Sequence, residues 1–416
     1  MSRAPRGLMA PASLLAIAAL LTITAGCGGP SPQSPAARPP TASTLSRPAS
    51  TPGTPTTGTS ACTALGAIAG WSVQRRAAQL VVAPSLDFNV SSLGATLRQG
   101  VGGVLFLGSA PPPAGLAGEV QRAAAAEPPG PPPMVMADEE GGGVQRLAGA
   151  VTSFPWPRTV AQTSTVAATR SLGESVGRQM KALAVTVDLA PVLDVDGGNG
   201  PNATDADGKR SYSADPATAA SYGMAFAEGL KAGGVLPVVK HFPGLGGTTG
   251  NTDYGPASTP PLSALRARGL VPFEDAVRAR LPAVMVANAS VPGLTGGLPA
   301  SLSPAAIAGL LRGQFGFTGL VLTDSLSAGA ISQAGFNVPG AAVKAVEAGA
   351  DMVLFGSTLT PAGTALLAPA AVAHTVAGIV AAIASAVSSG ALSAGRLDDA
   401  VSHVLAATGY NPCSSR

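Results

Sequence analysis

From about residue 79 onward, short β-branched apolar runs alternate with Ala- and Leu-rich stretches of helical character. Eight runs read as strands: 79–84 (QLVVAP), 101–108 (VGGVLFLG), 133–138 (PMVMAD), 185–190 (VTVDLA), 236–241 (LPVVKH), 283–288 (AVMVAN), 319–324 (GLVLTD) and 351–355 (DMVLF). Segments such as TAASYGMAFAEGLKAG and PAAIAGLLRGQF lie between them, long enough for the crossover helices that parallel strands require. Strict βα alternation argues a parallel sheet, and eight repeats in roughly 350 residues favour a closed TIM-type (β/α)8 barrel over a doubly wound sheet. Residues 370–410 supply two C-terminal helices and no strand-rich region follows, so one α/β barrel domain is expected over 61–416.

The amino end has a different pattern. Arg3 and Arg6 precede an apolar run from about Leu8 to Ile23, which closes on Thr24-Ala25-Gly26-Cys27. This reads as a signal peptide over 1–27, and the small residues before Cys27 resemble a bacterial lipobox, with Cys27 as the lipidated mature N-terminus. Residues 28–60 are almost entirely Pro, Ser, Thr, Gly and Ala, a composition with nothing to bury, and are expected to form a disordered tether. The expected location is therefore the outer face of the cell membrane, with the lipid as the only membrane contact.

Composition narrows the function classes. The 416 residues are 46% hydrophobic and only 11% charged, with a formal charge of +3 that falls to +1 without the leader's Arg3 and Arg6. No nucleic-acid partner is expected from that balance, and the protein is expected to be a monomer. If Cys27 takes lipid, Cys62 and Cys413 remain, one at each end of the folded part, and could form a disulfide in an oxidising compartment. The glycine-rich runs at 141–143 and 246–250 lack GxGxxG spacing, and neither HExxH nor paired His at ligand spacing occurs, so neither cofactor nor metal is expected.

A barrel of this type gathers its chemistry at the C-terminal ends of its strands. The polar residues obey that rule: Asp138 ends the third run, Asp194 follows the fourth, Lys240 and His241 end the fifth, and Asp324 ends the seventh. The run VKHFPGLG at 239–246 resembles the KHFPGHG signature of glycoside hydrolase family 3. ADEEGGGVQRL at 137–147, VDLAPVLDV at 187–195 and VLTDSLSAGA at 321–330 are similar, in order and spacing, to other motifs of that family. The resemblance spans about residues 70–410 and is greatest to the single-domain β-N-acetylglucosaminidases. It implies a retaining exo-hydrolase releasing N-acetylglucosamine from cell-wall (peptidoglycan) fragments or related amino sugars.

Carried over position by position, the resemblance implies Asp324 as the nucleophile and Asp138, Arg146, Arg210, Lys240 and His241 as sugar-binding residues. Retention needs such a carboxylate and a proton donor for the departing oxygen. The family's Asp-Ser-His acid/base triplet is replaced by Asn251-Thr252-Asp253; Leu245, Gly143 and Asn288 also stand where the family carries His, Arg and His. Two readings follow: Asp253 donates the proton itself, which requires a raised pKa, or the loop has decayed and the protein binds amino sugars without turning them over.

Overall fold

The computed structural model describes Gly66 and residues 68–410, apart from 109, 126, 127, 129, 361 and 362. The leader, the tether, Cys27, Cys62 and Cys413 lie outside the described residues.

The strands as far as β10, in chain order, are β1 (Val81–Leu86), β2 (Gly103–Leu107), β3 (Met134–Ala137), a short hairpin of β4 (Glu139–Gly141) and β5 (Val144–Gln145), then β6 (Val187–Asp188), β7 (Leu236–Phe242), β8 (Ala283–Val286), β9 (Leu320–Thr323) and β10 (Val353–Leu354). Apart from the hairpin, they form one eight-stranded sheet in the order β10-β1-β2-β3-β6-β7-β8-β9, with every pair parallel. The two ends of that order meet where Leu322 of β9 bridges Met352, immediately before β10. The ring is closed, as the alternation predicts. Each of the eight expected runs contains a strand, with ends that differ by a few residues. The fourth shrinks from 185–190 to Val187–Asp188, ahead of Pro191, which has no N–H for a ladder.

Alternate residues of these strands face opposite ways. Val82, Leu105, Met136, Val187 and Leu322 belong to one apolar cluster, which fills the barrel, whereas Val81, Val104, Val135 and Val321 belong to the other, beneath the helices. Helices Val166–Ala182 and Pro216–Gly233 start at capping side chains: Thr165 accepts from the Ala168 amide at 3.1 Å and Asp215 from the Thr218 amide at 2.8 Å. Glycines let these two helices approach closely. A Cβ at Gly173 would sit 2.4 Å from the Phe226 carbonyl oxygen, and one at Gly229 would sit 2.2 Å from that of Arg170.

The last helix, Ala394–Thr408, closes the N-terminal end of the barrel. Its Val404 joins the interior cluster, and its Arg396 and His403 reach Asp351, just before β10, at 2.8 and 3.0 Å. The helix therefore leaves the C-terminal rim free to gather the polar strand ends.

Candidate active site

Four strand ends deliver the polar residues. Asp138 follows β3, and two residues later Glu140 points the same way, as i and i+2 do in extended chain. From β7, Lys240 reaches both carboxylates, with Nζ 2.6 Å from Asp138 Oδ1 and 2.6 Å from Glu140 Oε1. Arg210, on the loop after β6, donates to Glu140 through Nε and Nη2, both at 2.8 Å, a bidentate pair. Burial alone would raise the Glu140 carboxyl, but Arg210 and Lys240 outweigh it and hold it well below the usual carboxylate range. Lys240 is raised in turn: its burial is outweighed by Asp138 and Glu140. Arg146, after the hairpin, stands 4.0 Å from Asp138 Oδ2 and is half-exposed at the rim.

His241 is turned by a fully buried acid. Asp194 Oδ2 lies 2.6 Å from His241 Nδ1 and accepts the His241 amide at 3.0 Å, while Oδ1 accepts the Leu245 amide at 2.7 Å. The other ring nitrogen, Nε2, lies 3.4 Å from Arg210 Nη2. Beside this pair sits Asp207, whose side chain is 1% exposed and whose two carboxylate oxygens accept no hydrogen bond. Its nearest basic side-chain nitrogens are Arg210 Nη1 at 3.6 Å and His241 Nδ1 at 3.9 Å.

Asp324 follows β9. Its amide donates to the Val286 carbonyl at 2.9 Å, and its Oδ1 accepts the Ser325 amide at 2.7 Å. The next helix starts at Gly329 after Ala328, so the carboxylate does not cap it. Asp253 comes from the loop after β7, pinned where the Gly329 amide meets its carbonyl at 2.9 Å and the Ala330 amide meets that of Thr252 at 3.0 Å. Asn251 does bond Asp253, but through the backbone amide, at 3.0 Å. Burial first, and Asp324 second, push the Asp253 carboxyl up to about 6, against the opposing pull of Arg210 and His241.

These groups converge. One cavity of ≈ 240 Å³ is lined by Asp138, Arg146, Arg210, Lys240, His241, Asp253 and Asp324, the residues the sequence singles out, together with Glu140. A larger cavity, of ≈ 720 Å³, adjoins Pro282 and Gly319 before β8 and β9, at the opposite end of the barrel, with Arg266, Arg278 and Arg280 around a single acid, Glu274. Size does not decide between them; a pair of carboxyls across a cationic floor does, and only the smaller cavity has one. There, one carboxyl with a raised pKa faces another on a strand end, an arrangement able to give and take a proton at one atom while attacking its neighbour.

The three other departures in the motifs have local accounts. Leu245 packs with Ala287 and Ala289. A Cβ at Gly143 would lie 2.8 Å from the Trp156 ring, so an indole covers the place of the missing side chain. Asn288 is buried, donating to the Ser325 carbonyl at 2.7 Å and accepting from Ser301 Oγ at 2.6 Å, and so steadies the residue after Asp324.

The family profile described as "Glycosyl hydrolase family 3 N terminal domain" matches residues 73–407. Among curated proteins, the chain is 44% identical over 209 residues to the β-hexosaminidase LpqI of Mycobacterium tuberculosis, covering 49% of this chain and 53% of that one. It is 36% identical over 195 residues to a β-hexosaminidase of Xanthomonas oryzae, covering 47% and 56%. The aligned part thus spans about half the length of these relatives. Solved structures match further. M. tuberculosis LpqI superposes with a TM-score of 0.73 at 36% identity, covering 85% of this chain and 98% of that one. A glycosyl hydrolase family 3 member from Mycobacterium smegmatis gives 0.72 at 35%, covering 83% and 98%.

Proposed function

Because the chain belongs to glycosyl hydrolase family 3, we infer that it is a glycosidase of the β-N-acetylhexosaminidase type, acting on terminal β-linked N-acetylglucosamine with Asp253 as its proton donor. The observation that carries this reading is the pairing of Asp253, raised to about 6, with Asp324 across one cavity. In the first step Asp324 attacks the anomeric carbon as the glycosidic C–O bond breaks, and Asp253 delivers its proton to the departing oxygen. In the second, the Asp253 carboxylate takes a proton from water, whose oxygen displaces Asp324 and restores both groups.

Binding falls to the cationic floor. Asp138 retains acceptor capacity beyond its Lys240 bond, and Arg146, Arg210, Lys240 and His241 supply donors to sugar hydroxyls. At ≈ 240 Å³ the cavity lies at the small end for ligand sites, which suits one terminal unit rather than a run of sugars. With a lipidated Cys27 and the tether over 28–60, the barrel would work on cell-wall fragments outside the membrane, and a Cys62–Cys413 disulfide would join the ends of its chain.

An aryl β-N-acetylglucosaminide tests the assignment. Turnover should vanish in Asp324→Ala and fall about 10²- to 10⁴-fold in Asp253→Asn. Asp253→His should show whether the imidazole its relatives use outperforms the carboxyl. Sugar binding without turnover in the wild type would favour the decayed-loop reading, and absence of both would remove the sugar assignment.

A further inference from the structure

We propose that Asp194, Asp207 and His241 form a binding site for a divalent transition-metal cation behind the sugar-binding face of His241. Two observations carry it. The Nδ1 atom of His241 and one carboxylate oxygen from each acid lie within 4.8 Å of one another, all three residues being buried. Asp207, moreover, directs a carboxyl with no hydrogen bond into the cluster from a position 1% exposed, and a buried acceptor without a hydrogen bond calls for a cause, of which a bound ion is one.

The spacing suits a small ion. Bonds of about 2.0–2.1 Å in a tetrahedral site place ligand atoms about 3.3 Å apart. The Nδ1 to Asp194 Oδ2 distance of 2.6 Å and the Nδ1 to Asp207 Oδ1 distance of 3.9 Å lie on either side of that value. A shift of less than 1 Å in each would therefore seat the ion in place of the shared proton. One imidazole and two carboxylates fit zinc among the first-row ions.

Occupancy would be felt at the cavity. With Asp194 as acceptor the ring proton sits on Nδ1, which leaves Nε2 an acceptor toward Arg210 Nη2 at 3.4 Å. A metal on Nδ1 of a neutral imidazole moves the proton to Nε2, which then faces Arg210 donor to donor. The bound ion would weaken sugar binding and act as an inhibitor.

Metal-stripped full-length protein should take up one Zn²⁺ per chain in a titration calorimeter and, with Co²⁺, should show the d–d absorption of a four- or five-coordinate site. Asp207→Asn, nearly isosteric, should weaken Zn²⁺ at least tenfold and remove the cobalt band while its metal-free melting curve stays cooperative. If it does not fold, Asp207→Ser must show the same loss. Saturation of the wild type by Zn²⁺ should raise KM for an aryl N-acetylglucosaminide, a readout that rests on the glycosidase assignment, whereas the calorimetry and the cobalt band do not. Absence of stoichiometric uptake would overturn the proposal. So would uptake that persists unchanged in the Asp207 variants, as it would if Asp351, Asp399 and His403 were the true ligands.

Discussion

Asp253 and Asp324 share a cavity, and burial first, then the neighbouring charge of Asp324, raise Asp253 from 3.8 to about 6. As the acid of the first step it must be protonated, so kcat/KM should fall as pH rises through about 6, and this limb should disappear in Asp253→Asn. The same shift has a sign in stability. A carboxyl whose folded pKa is raised stabilises most below its unfolded value, and that contribution is lost as pH climbs through the folded one. Relative to Asp253→Asn, the wild type should therefore lose melting temperature across the window from 3.8 to about 6; parallel curves would place the perturbed group elsewhere. Glu140 behaves oppositely, since it is held ionised between Lys240 and Arg210. Glu140→Ala takes the bidentate partner from Arg210 and leaves Lys240 with Asp138 alone, and should cost about 3–5 kcal/mol in urea denaturation, and Glu140→Gln should cost less. In sequence, Asp138 and Lys240 stand out as polar ends of apolar runs, whereas Glu140 is hidden in the run Asp138-Glu139-Glu140 and has only its i, i+2 relation to Asp138 as a signal. Asp207 has no signal at all: it sits in a polar loop, and only the fold brings it beside His241.

Among the elements, TAASYGMAFAEGLKAG is legible in sequence as a crossover-helix stretch, but the close approach of the helices Val166–Ala182 and Pro216–Gly233 is not. Gly173, Gly177, Gly229 and Gly233 read as weak points in helices until the partner is seen. Each then proves to face backbone of the other helix, with the Gly233 Cβ position 2.6 Å from the Glu174 carbonyl oxygen. Carbonyls cannot swing aside as a flexible side chain can. Gly229→Ala should thus reverse the usual gain from replacing a helical glycine, destabilising by about 1–3 kcal/mol through overpacking, and Ala227→Gly nearby should cost roughly the propensity difference of about 1 kcal/mol. Equal and small effects in a denaturation series would mean that the helices can part without loss. Strand ends were less legible than strand centres for a related reason. The pairing partner, rather than the local run of Val and Leu, decides where a ladder stops, as β6 shows beside Pro191.

Closure of the ring rests on one side chain more than on the short β9–β10 seam itself. Asp351 is fully buried where β9 and β10 meet: its Oδ2 accepts the Val321 amide at 2.9 Å and Arg312 Nη2 at 2.6 Å, and its Oδ1 takes Arg396 at 2.8 Å and His403 at 3.0 Å. One carboxylate thereby joins the seam, the helix before β9 and the C-terminal helix that plugs the barrel. Burial works to raise it, but the bond from His403 and the charges of Arg312 and Arg396 prevail and lower its pKa. A depressed carboxylate contributes its stability above the unfolded value and loses it as pH falls through the folded one. Asp351→Asn keeps the shape and the amide contact but removes the charge that two arginines face, so it should cost about 3–5 kcal/mol at neutral pH. The deficit should shrink as pH drops below the ordinary Asp value, where the wild type loses the same charge. Hydrogen exchange should report the loss first in Ala394–Thr408 and in β10, the elements that Asp351 ties together. Protection lost uniformly across all strands would instead mean that the seam and the plug are one cooperative unit with the whole barrel.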